Sequence, residues 1–354
     1  MAAAAAPERP LACIRRISIG DGLMSTSPDG RYVASAREFD VLVIDVFTGI
    51  ERIFTAPAPD FVGMATFCKD HFVFDSNKHV FVYETAGWTF VHAIHTGGVV
   101  WSVVGSRDVP SVLVEHTGGP SPVVEINVIT GEQIGLFDYD DATYVGKDWV
   151  VGSGGDALCA RNRDGRRVEM TTDGDIWTPL GSESILVIED DTATVKNLRT
   201  GASRDALCAK VNWEFLSQLR AHKDGTVAAY NGFRSGIVVS RPNDIIMFSS
   251  CPDDAAVAIN DFVADGRILS TVAHFRLPDA GVFAEFLSPS PFWAKAVHRH
   301  LEPAVRAAIR TFLLCCRRAR AQMTLPGLPP EMSLAVLGFY DVTRLVPERI
   351  PANN

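Results

Sequence analysis

A turn between two alternating strands recurs at intervals of roughly 40 residues along this chain. VLVIDVFTGIERI (41–53) reads as an alternating strand, a Thr-Gly turn and the start of another strand. VFVYETAGWTFV (80–91), VVEINVITGEQI (123–134) and ATVKNLRTGASR (193–204) repeat that shape. The turn glycines Gly49, Gly87, Gly131 and Gly201 are 38, 44 and 70 residues apart, and ARNRDGRRVEM (160–170) supplies Gly165 inside the longest gap. Alternating Val and Ile bury one face of a strand, and glycine tolerates the positive φ of a tight hairpin. Asp45, Asn127 and Asn197 stand four residues before their glycines, where a short polar side chain bonds nearby backbone amides. These positions read as structural rather than catalytic.

A second phrase comes earlier in the unit. SPDGRYVASA (27–36) sets a turn at Asp29 and Gly30 before a small-residue strand, and HKDGTVAAYNG (222–232) is its counterpart. Weaker units centre on SGIVVSRPNDIIMF (235–248) and ADGRILSTVAHFRLPDAGVFAEF (264–286). The period is that of propeller blades, so the expectation is an all-β fold, a β-propeller of seven or six blades over residues 11–290. The units resemble degenerate WD repeats, best in SPDGRYVAS…VLVIDVFTG, with Ile44-Asp45 where that family has Trp-Asp. A propeller must also close its ring, because an open last blade leaves an unpaired edge. LACIRRISIG (11–20) reads as a strand without a unit of its own and is expected to complete the blade made by residues 253–290.

The sequence holds 33 Lys/Arg and 42 Asp/Glu; residues 291–354 carry 9 and 4 of them, which leaves 24 and 38 before. So acidic a body argues against tracking duplex phosphates, which needs clustered cations, and no nucleic-acid partner is expected. Hydrophobic residues at 47% and charged ones at 21% suit a folded domain with a sizeable core. Seven cysteines form no CxxC pair, and the adjacent Cys315 and Cys316 are badly placed to bridge each other in a helix, so a reducing compartment fits. MAAAAAPERP lacks the basic and long apolar regions of a secretory signal, and residues 1–10 are expected to be disordered. No apolar run reaches the ~18 residues that span a bilayer. An intracellular protein, cytoplasmic or nuclear, without a membrane partner is expected.

After LSPSPF (287–292) the period changes from 2 to 3.6. Val297, Leu301, Val305, Ile309, Phe312, Cys316 and Ala319 recur every three or four residues as one apolar stripe, with Arg299, Arg306, Arg310 and Arg317 on another face. Pro326 and Gly327 stop this helix. Pro329 and Pro330 begin a second, with Glu331 in its first turn, where proline costs little and a carboxylate suits the helix dipole. Two short helices cannot bury a core alone, so residues 291–354 are expected to dock on the propeller or on another protein.

LPPEMSLAVLGF (328–339) resembles the opening of an F-box, whose Leu-Pro-x-Glu phrase leads a helix into a Skp-type adaptor. A helix followed by a Leu-Pro-rich elbow also resembles the SOCS box, which binds elongin B/C and a cullin. On that mapping Thr311, Phe312 and Cys316 stand at the elongin-contact positions, with Phe312 replacing a leucine, and Leu325 to Pro330 form the cullin elbow. Together the resemblances imply adaptor contacts at Ile309, Phe312, Leu313, Cys316, Leu325, Leu328, Pro329, Pro330, Glu331, Val336 and Leu337. Two functions follow as expectations. The molecule is a substrate receptor that recruits a ubiquitin-ligase adaptor, or a scaffolding propeller whose tail packs on it or mediates self-association.

Enzyme signatures do not emerge. VGSGGDAL (151–158) lacks the Walker lysine and the full dinucleotide spacing. His92 and His95 in HAIH have one metal-site spacing but no third ligand, and Cys315-Cys316 has no base in view. DYDDA (138–142) could line a cation site but reads more simply as a solvated loop. Trp88, Trp101, Trp149, Trp177, Trp213 and Trp293 are spread out, as suits packing or a peptide-binding rim. No catalytic residue, cofactor or metal is expected, and the partners are proteins.

Overall fold

The computed structural model describes residues 9–19, 23–56, 61–117, 123–154, 157–171, 176–189, 192–205, 216–222, 226–231, 236–240, 246–250, 255–262, 268–274, 281–288 and 303–321. Two strands come first, β1 (Arg9–Pro10) and β2 (Ala12–Ser18). Blade 1 is β3 (Leu23–Thr26), β4 (Tyr32–Ala36), β5 (Asp40–Asp45) and β6 (Glu51–Thr55); blade 2 is β7 (Val62–Cys68), β8 (His71–Ser76), β9 (His79–Glu84) and β10 (Thr89–His95). Blade 3 is β11 (Val100–Gly105), β12 (Ser111–His116), β13 (Val123–Asn127) and β14 (Gln133–Phe137). Blade 4 is β15 (Asp140–Val145), β16 (Trp149–Gly154), β17 (Ala157–Asn162) and β18 (Arg167–Thr171). Blade 5 is β19 (Ile176–Leu180), β20 (Ser184–Glu189), β21 (Thr192–Asn197) and β22 (Ser203–Asp205). Blade 6 is β23 (Leu216–Ala221), β24 (Val227–Asn231), β25 (Gly236–Ser240) and β26 (Ile246–Ser250); blade 7 has β27 (Ala255–Phe262), β28 (Ile268–His274) and β29 (Gly281–Ser288).

Each blade is an antiparallel meander, and the first strand of each lies beside the first strand of the next, with β27 returning to β3. Seven inner strands therefore close a ring, which decides between six and seven blades. As expected, β2 supplies the missing outer strand of blade 7, pairing antiparallel with β29 from Ala12↔Ser288 to Ser18↔Phe283. The expected boundary at residue 11 shifts, because Arg9 and Pro10 pair in parallel with Met247 and Phe248 as a fifth strand on blade 6.

The apolar stripes of neighbouring blades meet at every junction. Val41, Val43, Phe72 and Phe74 pack between blades 1 and 2, and Val145, Val151, Ile185 and Val187 between blades 4 and 5. The junction of blades 7 and 1 is covered by the helix α1 (Pro303–Ala321). Val305 and Ile309 are buried there with Ile19, Val33, Ile44 and Phe286, Phe312 and Leu313 pack against the same cluster, and Arg306 donates to the Phe47 carbonyl. Val305, Ile309 and Phe312 of the predicted stripe thus lie against the propeller.

Turn chemistry follows the sequence at most positions. Asp45 Oδ1 accepts from the amides of Phe47 (2.8 Å) and Thr48 (3.2 Å), Asn127 Oδ1 from Ile129 (2.9 Å) and Thr130 (3.3 Å), and Asn197 Oδ1 from Arg199 (3.1 Å) and Thr200 (2.8 Å). Gly49, Gly131 and Gly201 close these turns at φ of 75°, 74° and 72°, and Gly165 does so in blade 4 at 86°. Asp29 Oδ1 accepts from the Ser27 hydroxyl and the Arg31 amide around Gly30. Gly87 is the correction. The left-handed residue of the blade 2 turn is Trp88, at φ 55°. Counting four residues from Glu84, the equivalent of Asp45, reaches Trp88, so the glycine stands one place early.

Candidate interaction surface

Strand direction alternates within each blade, so every inner strand begins at the same end of the ring. That end, the upper face, also carries the turns from second to third strand and the connections between blades. Asp29, Asp45, Asn127 and Asn197 with their glycines occupy the opposite, lower face.

Near the upper face the inner strands of blades 2, 3, 4 and 6 shift register against their neighbours. Such a bulge inserts residues without partners, adds twist and re-aims side chains. In blade 3 Val100 pairs with His116 and Ser102 with Glu115, which leaves Trp101 between them and 68% exposed. In blade 4 the irregularity falls after Asp140, Asp141 takes φ 51°, and the facing Gly152 admits no Cβ, which would lie 2.8 Å from that of Tyr139. In blade 2 Gly63 and Met64 face Asp75, whose carboxylate accepts from the Met64 amide at 2.6 Å. Asp75 is buried, and desolvation outweighs its amide donors, pushing its pKa up to about 6.

Around Trp101 the upper face is apolar and acidic. Phe39 in the blade 1 turn, Phe61 before blade 2 and Val99 before blade 3 are exposed at 52%, 63% and 41%. Glu115 stands one residue before the end of β12, and Asp140 and Asp141 begin β15; burial first, then those two carboxylates, hold Glu115 above its ordinary range. The sequence named Trp101 only within a scattered set and the 138–142 acids as a solvated loop. Phe39, Phe61 and Glu115 carried no local signal.

The other sequence candidates have structural roles. His92 Nε2 lies 2.9 Å from the Val128 carbonyl, and His95 Nδ1 accepts from the Gly97 amide. Among the described residues no three His, Cys, Asp or Glu gather as a metal site. Gly152 and Gly154 of VGSGGDAL lie in β16. Burial drives the Cys68 thiol to about 12, far from a reactive thiolate.

Between blades 3 and 4, toward the lower face, buried Glu125 accepts from Ser111 (2.9 Å), Tyr144 (3.2 Å) and Arg163 (2.6 Å). Burial and that carboxylate push the Tyr144 hydroxyl well above its ordinary range. A cleft of about 140 Å³ beside it is lined by Phe137, Lys147, Trp149 and Arg161. Arg161 bonds the Leu136 carbonyl and Arg163 the Glu125 carboxylate, so both tie blade 4 to blade 3, and Arg163 also bonds the Lys147 carbonyl within blade 4.

Of the eleven tail positions, Ile309 is buried in the junction of blades 7 and 1, and Phe312 and Leu313 pack half-buried against it. Cys316 lies on α1. Leu325, Leu328, Pro329, Pro330, Glu331, Val336 and Leu337 lie outside the described residues. Leu314, on the open side of α1, is 56% exposed. Among the described residues no helix is long and apolar enough to cross a membrane.

No protein family and no curated protein matches this sequence. Solved structures match its fold. A chain of the Mitotic Checkpoint Complex aligns with a TM-score of 0.57 at 16% identity, over 81% of this chain and 95% of that one. The WD40 repeats of RRP9 give 0.55 at 13%, over 79% and 98%. Streptogramin B lyase gives 0.54 at 11%, over 77% and 98%. The likeness is one of fold, a WD-like β-propeller.

Proposed function

We propose that the protein is a non-catalytic protein-binding platform that meets its partner through the upper face of blades 1 to 4. The observation that carries this reading is the placement of Phe39, Phe61, Val99 and Trp101, exposed on one end of three consecutive blades. Single exposed apolar residues need no explanation, but a group of them at one end of a molecule suits a contact surface. The fold alone does not choose between binding and catalysis, since the similar structures include a chain of a protein assembly and a lyase.

The test is affinity capture from cell extract with the full chain and with a Phe61→Ser/Trp101→Ser variant, read by quantitative mass spectrometry. Proteins captured by the wild type should fall at least several-fold with the variant, while its thermal unfolding stays unchanged. Equal capture by both forms rejects the reading.

A second reading concerns the tail. Exposed Leu314 on α1 and the Leu328 to Glu331 phrase favour recruitment of a Skp-type or elongin/cullin adaptor, which makes the molecule a substrate receptor of a ubiquitin ligase. A docked helix withholds Ile309, so the contact falls to Leu314 and residues 325–337. Replacing Leu328, Pro329 and Glu331 by alanine should remove such adaptors from the captured set. Their absence from the wild-type capture ends this reading and leaves the first untouched.

A further inference from the structure

We infer that the upper face docks a basic segment of a partner protein, anchored by apolar side chains and placing an arginine or lysine over Trp101. This deepens the platform reading and rests on it. The apolar anchors find Phe39, Phe61 and Val99; the charge around them selects the occupant. On this face blades 1 to 4 present Glu38, Asp40, Glu115, Asp138, Asp140 and Asp141, against Arg37 and Lys78 among the described residues. Arg37 already stands 3.7 Å from Asp40.

The acidic groups concentrate where the ring is most exposed. Trp101 sits in the bulge facing His116 and Glu115, and its strand neighbours β15, which begins with Asp140 and Asp141. Glu115 is held above its ordinary range partly by those two carboxylates, so an arriving cation relieves a standing repulsion. The face of a tryptophan adds its own attraction for a cation, more for a guanidinium or ammonium that sheds water on docking. A nucleic acid or an acidic peptide meets the same carboxylates as repulsion, and a neutral segment leaves them uncompensated.

The probe is a fluorescent ten-residue peptide with three arginines separated by glycine and leucine, beside a twin carrying glutamate at those places. Anisotropy titrations run on the full chain at pH 7.5, where unperturbed histidines are neutral. The arginine peptide should bind, the glutamate twin should not, and affinity should weaken as salt rises. Asp140→Asn/Asp141→Asn and Trp101→Ala should each weaken binding by about tenfold, while Trp101→Phe retains most of it. Glu132→Gln on the lower face should change nothing, which separates the site from the molecule's general negative charge. Equal binding of both peptides, or of the arginine peptide to wild type and upper-face variants, overturns the inference. If the arginine peptide fails but Phe61→Ser/Trp101→Ser still loses captured partners, the cationic occupant is wrong and the platform stands. If capture is also unchanged, both fall.

Discussion

Trp88 holds a left-handed backbone that a side chain makes costly, and it does so to complete an aromatic cluster. Its ring meets Tyr32 edge-on at 4.9 Å and lies 5.4 Å from Phe54 and 5.9 Å from Phe72, with the Arg52 guanidinium 5.6 Å from its centre. Ring packing outweighs a strain of roughly 1–2 kcal/mol. Trp88→Gly and Trp88→Ala should both destabilise, but the glycine variant should be the milder by about 1 kcal/mol in denaturant unfolding, reversing the usual order. Asp75 gives a pH signature. Its folded pKa of about 6 lies above the unfolded value near 3.8, so the native state binds the extra proton between them and stability falls as pH rises from about 4 to 6. Asp75→Asn keeps an acceptor for the Met64 amide without the charge. Its stability relative to wild type should rise by up to about 3 kcal/mol across that window, measured by unfolding at fixed pH values. These residues also mark where the sequence is readable. Asp45, Asn127 and Asn197 act on amides two and three residues away, so spacing alone identifies them. Gly87 misleads because glycine is the usual mark of a turn, whereas position after Glu84 is what sets the backbone there.

Elements were legible where their period is local and opaque where their partner is distant. The apolar stripe of α1 follows from spacing, but the surface that receives it is built from β2, β4, β5 and β29, which only the closed ring brings together. The bulges were invisible for the same reason, since a residue is extra only relative to the strand opposite. Short turns hid part of the repeat as well. Lys69-Asp70 joins β7 to β8 and Gly146-Lys147-Asp148 joins β15 to β16, two and three residues where blade 1 has five. Ile309→Ala tests the docking of α1. Removing a buried side chain from the junction should cost about 2–4 kcal/mol, seen in denaturant unfolding. Leu314→Ala, on the open side, should change stability by less than about 0.5 kcal/mol.

At the scale of the molecule, closure rests on β2 against β29, where Arg16 bonds Glu285 across the seam. Arg16→Glu sets two carboxylates across the pair and should lower stability by roughly 1–2 kcal/mol, the guanidinium being partly exposed. Adding Glu285→Arg should restore most of that loss in thermal unfolding; a double variant no more stable than the single one means that the ion pair does not help hold the ring.

That seam also sets a timetable for synthesis. Arg16 and Glu285 are 269 residues apart, and a ribosome adding about 5–20 residues per second needs roughly 15–50 s to make the distance between them. Throughout that interval β2 has been translated but its partner strand has not, so this pairing cannot form until β29 is made. A strand made early is thus among the last to find its neighbour.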